Sequence, residues 1–358
     1  MPDELLEIHD PSGAFERIEQ WLSSRGFFAP GGEELVADVY LGYGLSQSIR
    51  RTTSPCPSEP CPALPLAACR LAPPALVTDR HKGSFTLGAW ERTWTAAEYR
   101  AAIDEVRGAI ARGDVYQVNL VQHLQASFAG DPCALAVCLA PLRPLHPEAL
   151  VTDEWAVVSA SPELFLARRG DRIWTMPIKG TRPRGEAAEL RASEKDAAEH
   201  VMIVDLERND LSRVCDASTV RWPELMATRE LAGVEHMVST VEGTLREGVG
   251  LAEILRATFP GGSVTGAPKI AAVDLIARLE PVGRGAAMGA VGRIHGNGDF
   301  DLALTIRTFA VADGTIHLWV GGGIVWDSDP ATEVEESWVK ARPLLEAVRA
   351  PLPEVALA

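Results

Sequence analysis

Residues 155–184 read WAVVSASPELFLARRGDRIWTMPIKGTRPR, and three β-branched and aromatic runs, 155–159, 164–168 and 172–177, stand in them with only turns between. Strands that follow one another directly, rather than alternating strictly with helices, argue for antiparallel sheets. Working outward, further strand-like runs lie at 115–122, 238–245, 286–294, 301–311 and 315–320, and helices fit 193–211, 251–257, 268–279 and 332–349. Thr95-Ala96-Ala97-Glu98 has the pattern of a capping box, after which Tyr99, Ile103, Val106 and Ile110 recur at helical spacing until Gly113. The expectation is an α+β fold without internal repeats. Residues 1 to about 85 are uneven in composition, and the Pro/Cys-rich stretch 54–74 is expected to be a loop that holds no long helix.

With 358 residues, 46% hydrophobic and 23% charged, the chain can bury one large core or two modest ones. Its net charge of −15 repels polyanions and no basic patch is present, which argues against nucleic acid as a partner. The N-terminus is acidic, without a basic segment followed by an apolar one, and no apolar run approaches the roughly 18 residues of a membrane span. A cytoplasmic protein is expected, with its six cysteines free.

Lys179 stands between the apolar strand and a Gly-Thr turn. Desolvation there lowers an amine's pKa from its usual ~10.4, which makes Lys179 a candidate nucleophile; alone, it also fits a surface lysine beside Arg182 and Arg184. On the helix that Ser193 starts, Glu199 shares a stripe with Ile203, Leu206 and Asp210. On the last helix Glu333, Glu336 and Lys340 share another. Two helices each offering an inward carboxylate suit Mg²⁺, a hard cation that takes oxygen ligands; a solvated charged face is the alternative.

Gly261-Gly262-Ser263-Val264-Thr265-Gly266-Ala267-Pro268-Lys269 reads as a flexible loop entering a helix, where free N–H groups and Lys269 would bind an anion. It is not a nucleotide-binding P-loop, because the Gly-Lys-Ser/Thr triplet is missing. Gly321-Gly322-Gly323 offers a second close approach to a ligand, or a tight bulge. Arg307 within an apolar run wants an anion, and Lys179, Lys269, Arg307 and Lys340 together could supply local positive charge for a small dianion. His236 is a candidate proton handler.

Taken together, Gly113 to Leu120, Ser161-Pro162-Glu163, Pro177 to Thr181, Ala198 to Asp210, Phe259 to Lys269, Thr305 to Thr308 and Gly321 to Val325 run in the order of the chorismate-utilising family. The chain resembles that family, which includes the anthranilate, aminodeoxychorismate, isochorismate and salicylate synthases, over about residues 90–345. The resemblance implies two packed antiparallel sheets flanked by helices, with residues 1–88 a shortened and poorly matching N-terminal region and residues 89–350 the chorismate-binding catalytic domain.

A lysine in Pro-Ile-Lys-Gly-Thr is similar to the mark of the aminodeoxychorismate synthases, and Gln117 stands where the water-adding members carry a lysine base. Both imply amination of chorismate at ring position 4, with Lys179 as nucleophile, Glu163 as general acid/base and His236 near the ring. The resemblance also implies Mg²⁺ on Glu199 and Glu336, with Asp196 and Glu333 acting through water. Substrate carboxylates would be gripped by Arg307, Lys340 and the turns holding Thr181, Thr265, Gly266, Lys269, Gly321, Gly322 and Gly323. No Gly-x-Cys-x-Gly elbow is present, so ammonia is expected from a separate glutamine amidotransferase subunit. Amination at C2 by an anthranilate synthase component I, or chorismate binding without catalysis, are the competing readings. Two departures stand out: Pro141 to Pro147 replaces a stretch linked to a regulatory amino-acid pocket, and Arg293 replaces an aromatic residue.

Overall fold

A computed structural model of the protein describes residues 4–72, 83–231 and 234–349. In chain order the first half comprises β1 Leu5–Ile8, α1 Ala14–Ser23, β2 Val36–Leu41, β3 Ala67–Ala72, β4 Phe85–Leu87, β5 Glu91–Arg92, α2 Ala96–Ala111, β6 Gln117–Gly130, α3 Cys133–Leu139, β7 Leu150–Val151, β8 Trp155–Ser159, β9 Leu164–Arg169 and β10 Arg172–Met176. Then follow β11 Ile178–Pro183, α4 Ala187–Ala192, α5 Glu194–Ser212, β12 Arg221–Leu231, β13 Val234–Thr244, α6 Leu251–Thr258, β14 Gly266–Ala267, α7 Lys269–Leu279, β15 Ala290–His295, β16 Phe300–Leu304, β17 Thr308–Ala312, β18 Thr315–Ile324 and α8 Pro330–Ala347.

Among the described residues these strands form two antiparallel sheets, giving the expected α+β architecture. One has the order β1-β3-β2-β15-β16-β9-β10-β13-β11, with β12 also on β13; the other runs β14-β6-β18-β17-β8-β7, with β4 and β5 on β6. Inward side chains of both sheets, among them Tyr40, Phe300, Phe309 and Trp319, belong to one continuous core. The N-terminal strands share the larger sheet with the rest, since β2 pairs with β15 from Val36↔His295 to Leu41↔Ala290.

Local chemistry sets the boundaries. The capping box of α2 is complete: Thr95 Oγ1 accepts from Glu98 N at 3.2 Å and Glu98 Oε2 from Thr95 N at 2.6 Å. Ser193 caps α5 by accepting from Asp196 N at 3.3 Å. The predicted strand 301–311 is two strands, one in each sheet. It breaks at Thr305–Arg307, where Arg307 takes φ 51° and Thr305 Oγ1 accepts from Gly289 N at 2.7 Å. Alternation continued through the break because both halves face the same core. The Pro/Cys-rich stretch 54–74 contains β3, whose Ala67, Ala68 and Cys69 are fully buried, while residues 73–74 lie outside the described part. All six cysteines are free, and no helix among the described residues is long and apolar enough to cross a membrane.

Candidate active site

The edge where β6 and β18 begin and end carries the polar groups. Gly321, Gly322 and Gly323 pair with Val121, Leu120 and Asn119. A Cβ at Gly323 would run into Gln117 Nε2 and stand 2.6 Å from Glu199 Oε1; one at Gly322 would meet Lys340 Nζ at 3.1 Å, Glu336 Oε1 at 3.4 Å and Glu333 Oε2 at 3.6 Å. Missing side chains on this strand are therefore what lets α5 and α8 bring their carboxylates to it.

Lys179 arrives from the other sheet. The ladder between β11 and β13 shifts register between Lys179 and Thr181, and the residue between, Gly180, sits at φ 66°, so a bulge re-aims the lysine. Its Nζ lies 2.5 Å from Glu199 Oε1, with the two side chains 12% and 14% exposed, and Gln117 Nε2 donates to the same oxygen at 2.8 Å. Burial pulls the Lys179 pKa down, but Glu199, Glu163 and Glu336 outweigh it, and the net direction is upward. This corrects the expectation of a depressed amine: apolar surroundings were legible in the sequence, the carboxylate partners were not. Lys179 is an ammonium while Glu199 is its partner.

Glu163, just before β9, is 5% exposed, and burial raises its pKa despite Ser263, Lys179, the Ile178 N–H at 3.4 Å and Arg307. A carboxyl so placed keeps its proton above the ordinary range. Arg307, half-buried in the turn between β16 and β17, faces Glu163 through space, and no hydrogen bond or ion pair to a described residue occupies its guanidinium. His236 on β13 hydrogen-bonds Gly180 O through Nδ1 at 3.1 Å; burial lowers its pKa, so the ring is neutral. Thr181 pairs with His236 through the backbone, and its side chain lies outside the described part.

The glycine turn at 261–269 is not a free loop. β14 pairs with Gln117 and Val118, the Thr265 hydroxyl donates to Gly261 O at 2.8 Å, and the Thr265 carbonyl accepts from Asn119 N at 2.7 Å. Lys269 holds Asp210 at 2.5 Å and Thr258 O at 2.9 Å, so its ammonium braces the turn. Arg284, 2% exposed, pairs with Glu280 at 2.7 Å and donates to Val264 O and Asn119 O, tying the turn to β6.

For a metal, the donor chemistry suits Mg²⁺: α5 and α8 each bring a carboxylate against β18, Glu199 beside Gly323 and Glu336 beside Gly322. In the arrangement described, Glu199 Oε1 is closed by Lys179 and Gln117, Glu336 pairs with Lys340 at 2.7 Å, Glu333 accepts from Ser328 Oγ at 2.6 Å, and Asp196 accepts from Arg182 at 2.8 Å. Among the described residues no three His, Cys, Asp or Glu side chains are gathered as for a bound ion. Lys340 also donates to Gly321 O at 3.0 Å. Arg293 pairs with Asp38 at 2.8 Å on the larger sheet.

Sequence reasoning missed Glu207, Asn119, the Lys269–Asp210 pair and the Arg284–Glu280 pair. Glu207 carried a signal, because it follows the buried Ile203 by four residues and precedes the buried Asp210 by three.

The family model for chorismate binding enzymes matches residues 54–346. Over 98% of its length the chain is 39% identical to anthranilate synthase component 1 of Streptomyces coelicolor, of which it spans 68%. Over 73% of its length it is 40% identical to aminodeoxychorismate synthase component 1 of Klebsiella aerogenes, of which it spans 60%. Among solved structures, anthranilate synthase component I of Streptococcus pneumoniae superposes with a TM-score of 0.78 at 24% identity, covering 88% of this chain and 81% of that one, a likeness of fold. Near-equal identity to two named activities leaves the choice between them to the residues of the site.

Proposed function

This chain belongs to the chorismate binding enzymes, and on that premise we propose that it aminates chorismate at C4, giving 4-amino-4-deoxychorismate, with ammonia from a separate glutamine amidotransferase subunit. The observation that carries the reading is Lys179, a buried amine aimed by the Gly180 bulge between Glu163 and Glu199. Its proton must leave first, and for that the Lys179 Nζ hydrogen bond to Glu199 at 2.5 Å has to break. Neutral Nζ then bonds to C2, both ring double bonds shift, and the C4–O bond breaks as Glu163 delivers its proton, releasing water. Ammonia next bonds to C4, the double bonds shift back, the C2–N bond breaks, and Glu163 recovers a proton from the new ammonium. Arg307 and Lys340 supply positive charge for the substrate carboxylates.

Mg²⁺ would be held by Glu199 and Glu336, with Asp196 and Glu333 acting through water, and would neutralise the ring carboxylate. That the two named relatives are each a component 1 supports the separate amidotransferase.

A second reading is favoured by the 98% coverage of the match to an anthranilate synthase component: amination at C2 with release of pyruvate. Incubation with chorismate, Mg²⁺ and an ammonium salt, followed by product mass, decides between them. The expected product is 4-amino-4-deoxychorismate from the native chain and none from Lys179→Ala. Anthranilate with pyruvate from the native chain overturns the reading, and no turnover leaves a binding protein.

A further inference from the structure

Asn119 takes no part in the chemistry above, yet it stands on the strand that borders it. It follows Gln117 by two residues on β6 and is only 8% exposed, so the two side chains leave the same face of the strand. Gln117 Nε2 donates to Glu199 Oε1 at 2.8 Å, and Lys179 Nζ lies 2.5 Å from that oxygen. Directly across from Asn119 is Gly323, where a Cβ would stand 2.6 Å from Glu199 Oε1. Cβ positions of directly opposed residues lie about 5 Å apart, which puts the Asn119 Cβ within about 8 Å of that oxygen with no side chain on Gly323 between them. On the other flank Asn119 N donates to Thr265 O at 2.7 Å, in the turn whose Ser263 acts on the Glu163 carboxyl. The Thr265 hydroxyl bends away to Gly261 O at 2.8 Å. Asn119 thus stands between the Glu199 end and the Glu163 end of the site.

Asn119 Oδ1 is dry, and no described residue donates to it. A buried amide oxygen is costly to leave without a donor, so a ligand that brings one is favoured there. Gln117 Oε1 has no donor either, but its amide is turned to Glu199 by the Nε2 bond; the Asn119 amide has no such anchor among the described residues. We propose that Asn119 Oδ1 receives the ammonia of the reaction, accepting one of its N–H groups and leaving the nitrogen lone pair free for the ring. The inference rests on the reading that ammonia is the nucleophile. Donors decide the ligand: the carboxylates and ether oxygen of chorismate only accept at neutral pH, and its single hydroxyl is the group that reading gives to Glu163. Ammonia is the donor left over. A neutral amide also suits it, because it accepts a hydrogen bond, favours ammonium less than a carboxylate would, and takes no proton from water.

The test is steady-state turnover of Asn119→Leu, which keeps the size of the side chain and removes the acceptor, with ammonium salt varied at saturating chorismate and the reverse. KM for ammonia should rise about tenfold, with KM for chorismate within about twofold. In Asn119→Asp the carboxylate should hold ammonium, which has no lone pair, so the rise of turnover with pH should move about one unit towards alkaline. A native KM for ammonia in Asn119→Leu overturns the proposal. So does a rise confined to the KM for chorismate, which would give the amide to the ring hydroxyl instead. Should Asn119→Leu fail to fold, as its melting curve will tell, a pH profile of Asn119→Asp that superimposes on the native one overturns the proposal equally. A native chain that converts chorismate without taking up ammonia refutes the amination reading and this proposal with it, whereas native amination left unchanged by both substitutions refutes only the role of Asn119.

Discussion

Lys179 Nζ and Glu199 Oε1 lie 2.5 Å apart, and each is the other's nearest opposite charge in a site that excludes most water. One carboxylate therefore sets the protonation of the amine. Replacing Glu199 with Gln should lower the Lys179 pKa, because burial remains while its strongest support is gone. Nitrogen NMR of labelled lysine against pH reads this directly, and an unshifted midpoint contradicts it. Lys179→Ala should lower 4-amination by roughly a hundredfold or more through loss of the covalent path.

Gly323 is where the strand gives way to the site. A Cβ there would collide with Gln117 Nε2 and crowd Glu199 Oε1 at 2.6 Å, and the surrounding backbone is a paired strand that cannot step aside. Gly323→Ala should displace both side chains, lower turnover at least roughly tenfold and cost about 1–3 kcal/mol of stability. Thermal melts and steady-state rates check both parts; native rates in the variant would mean that Gln117 and Glu199 are not held where activity needs them.

The strands at 155–159, 164–168 and 172–177 were legible because apolar runs bounded by turn residues need no tertiary knowledge, and α5 was legible through its cap and stripe. The break at Thr305–Arg307 was hidden because a strand that changes sheets keeps its alternation when both sheets face one core. Lys269 looked like an anion site from its neighbours in sequence, yet its partner Asp210 lies 59 residues away. The sign of the Lys179 shift failed for the same reason, since burial is local in sequence and its carboxylate partners are not. Buried pairs such as Arg284–Glu280 follow helical spacing, but so do exposed ones, and spacing alone does not separate them.

A buried histidine pair should make the fold acid-sensitive. His123 Nε2 meets His317 Nδ1 at 3.0 Å, and burial lowers their pKa values to about 3 and about 4. His200, bonded to Ser239 Oγ at 2.5 Å, is lowered by burial to about 4 as well. In the unfolded chain each titrates near ~6.5, so below that pH the unfolded state binds more protons. Stability is full at neutral pH and falls as pH drops through ~6.5 towards the folded values, by roughly 1 kcal/mol per unit for each ring. Denaturant titrations between these limits should show the slope, reduced in His123→Asn/His317→Asn; an equal slope in that variant would remove the pair as its source.

The metal assignment is best tested at Glu336, because its side chain is 47% exposed and its substitution costs the fold little, within about 0.5 kcal/mol. Lys340, 2.7 Å from it, also holds Gly321 O at 3.0 Å and keeps that backbone contact when the charge is removed. A loss in Glu336→Gln therefore reports on a ligand rather than on packing. Chelation should stop turnover by the native chain, and restored Mg²⁺ should recover it. Glu336→Gln should need about tenfold more Mg²⁺ for half-maximal rate and show correspondingly weaker binding in calorimetry with Mg²⁺ alone, with an unchanged melting temperature. Mg²⁺ titrations that superimpose for the variant and the native chain in both measurements would leave Glu336 as a partner of Lys340 and nothing more.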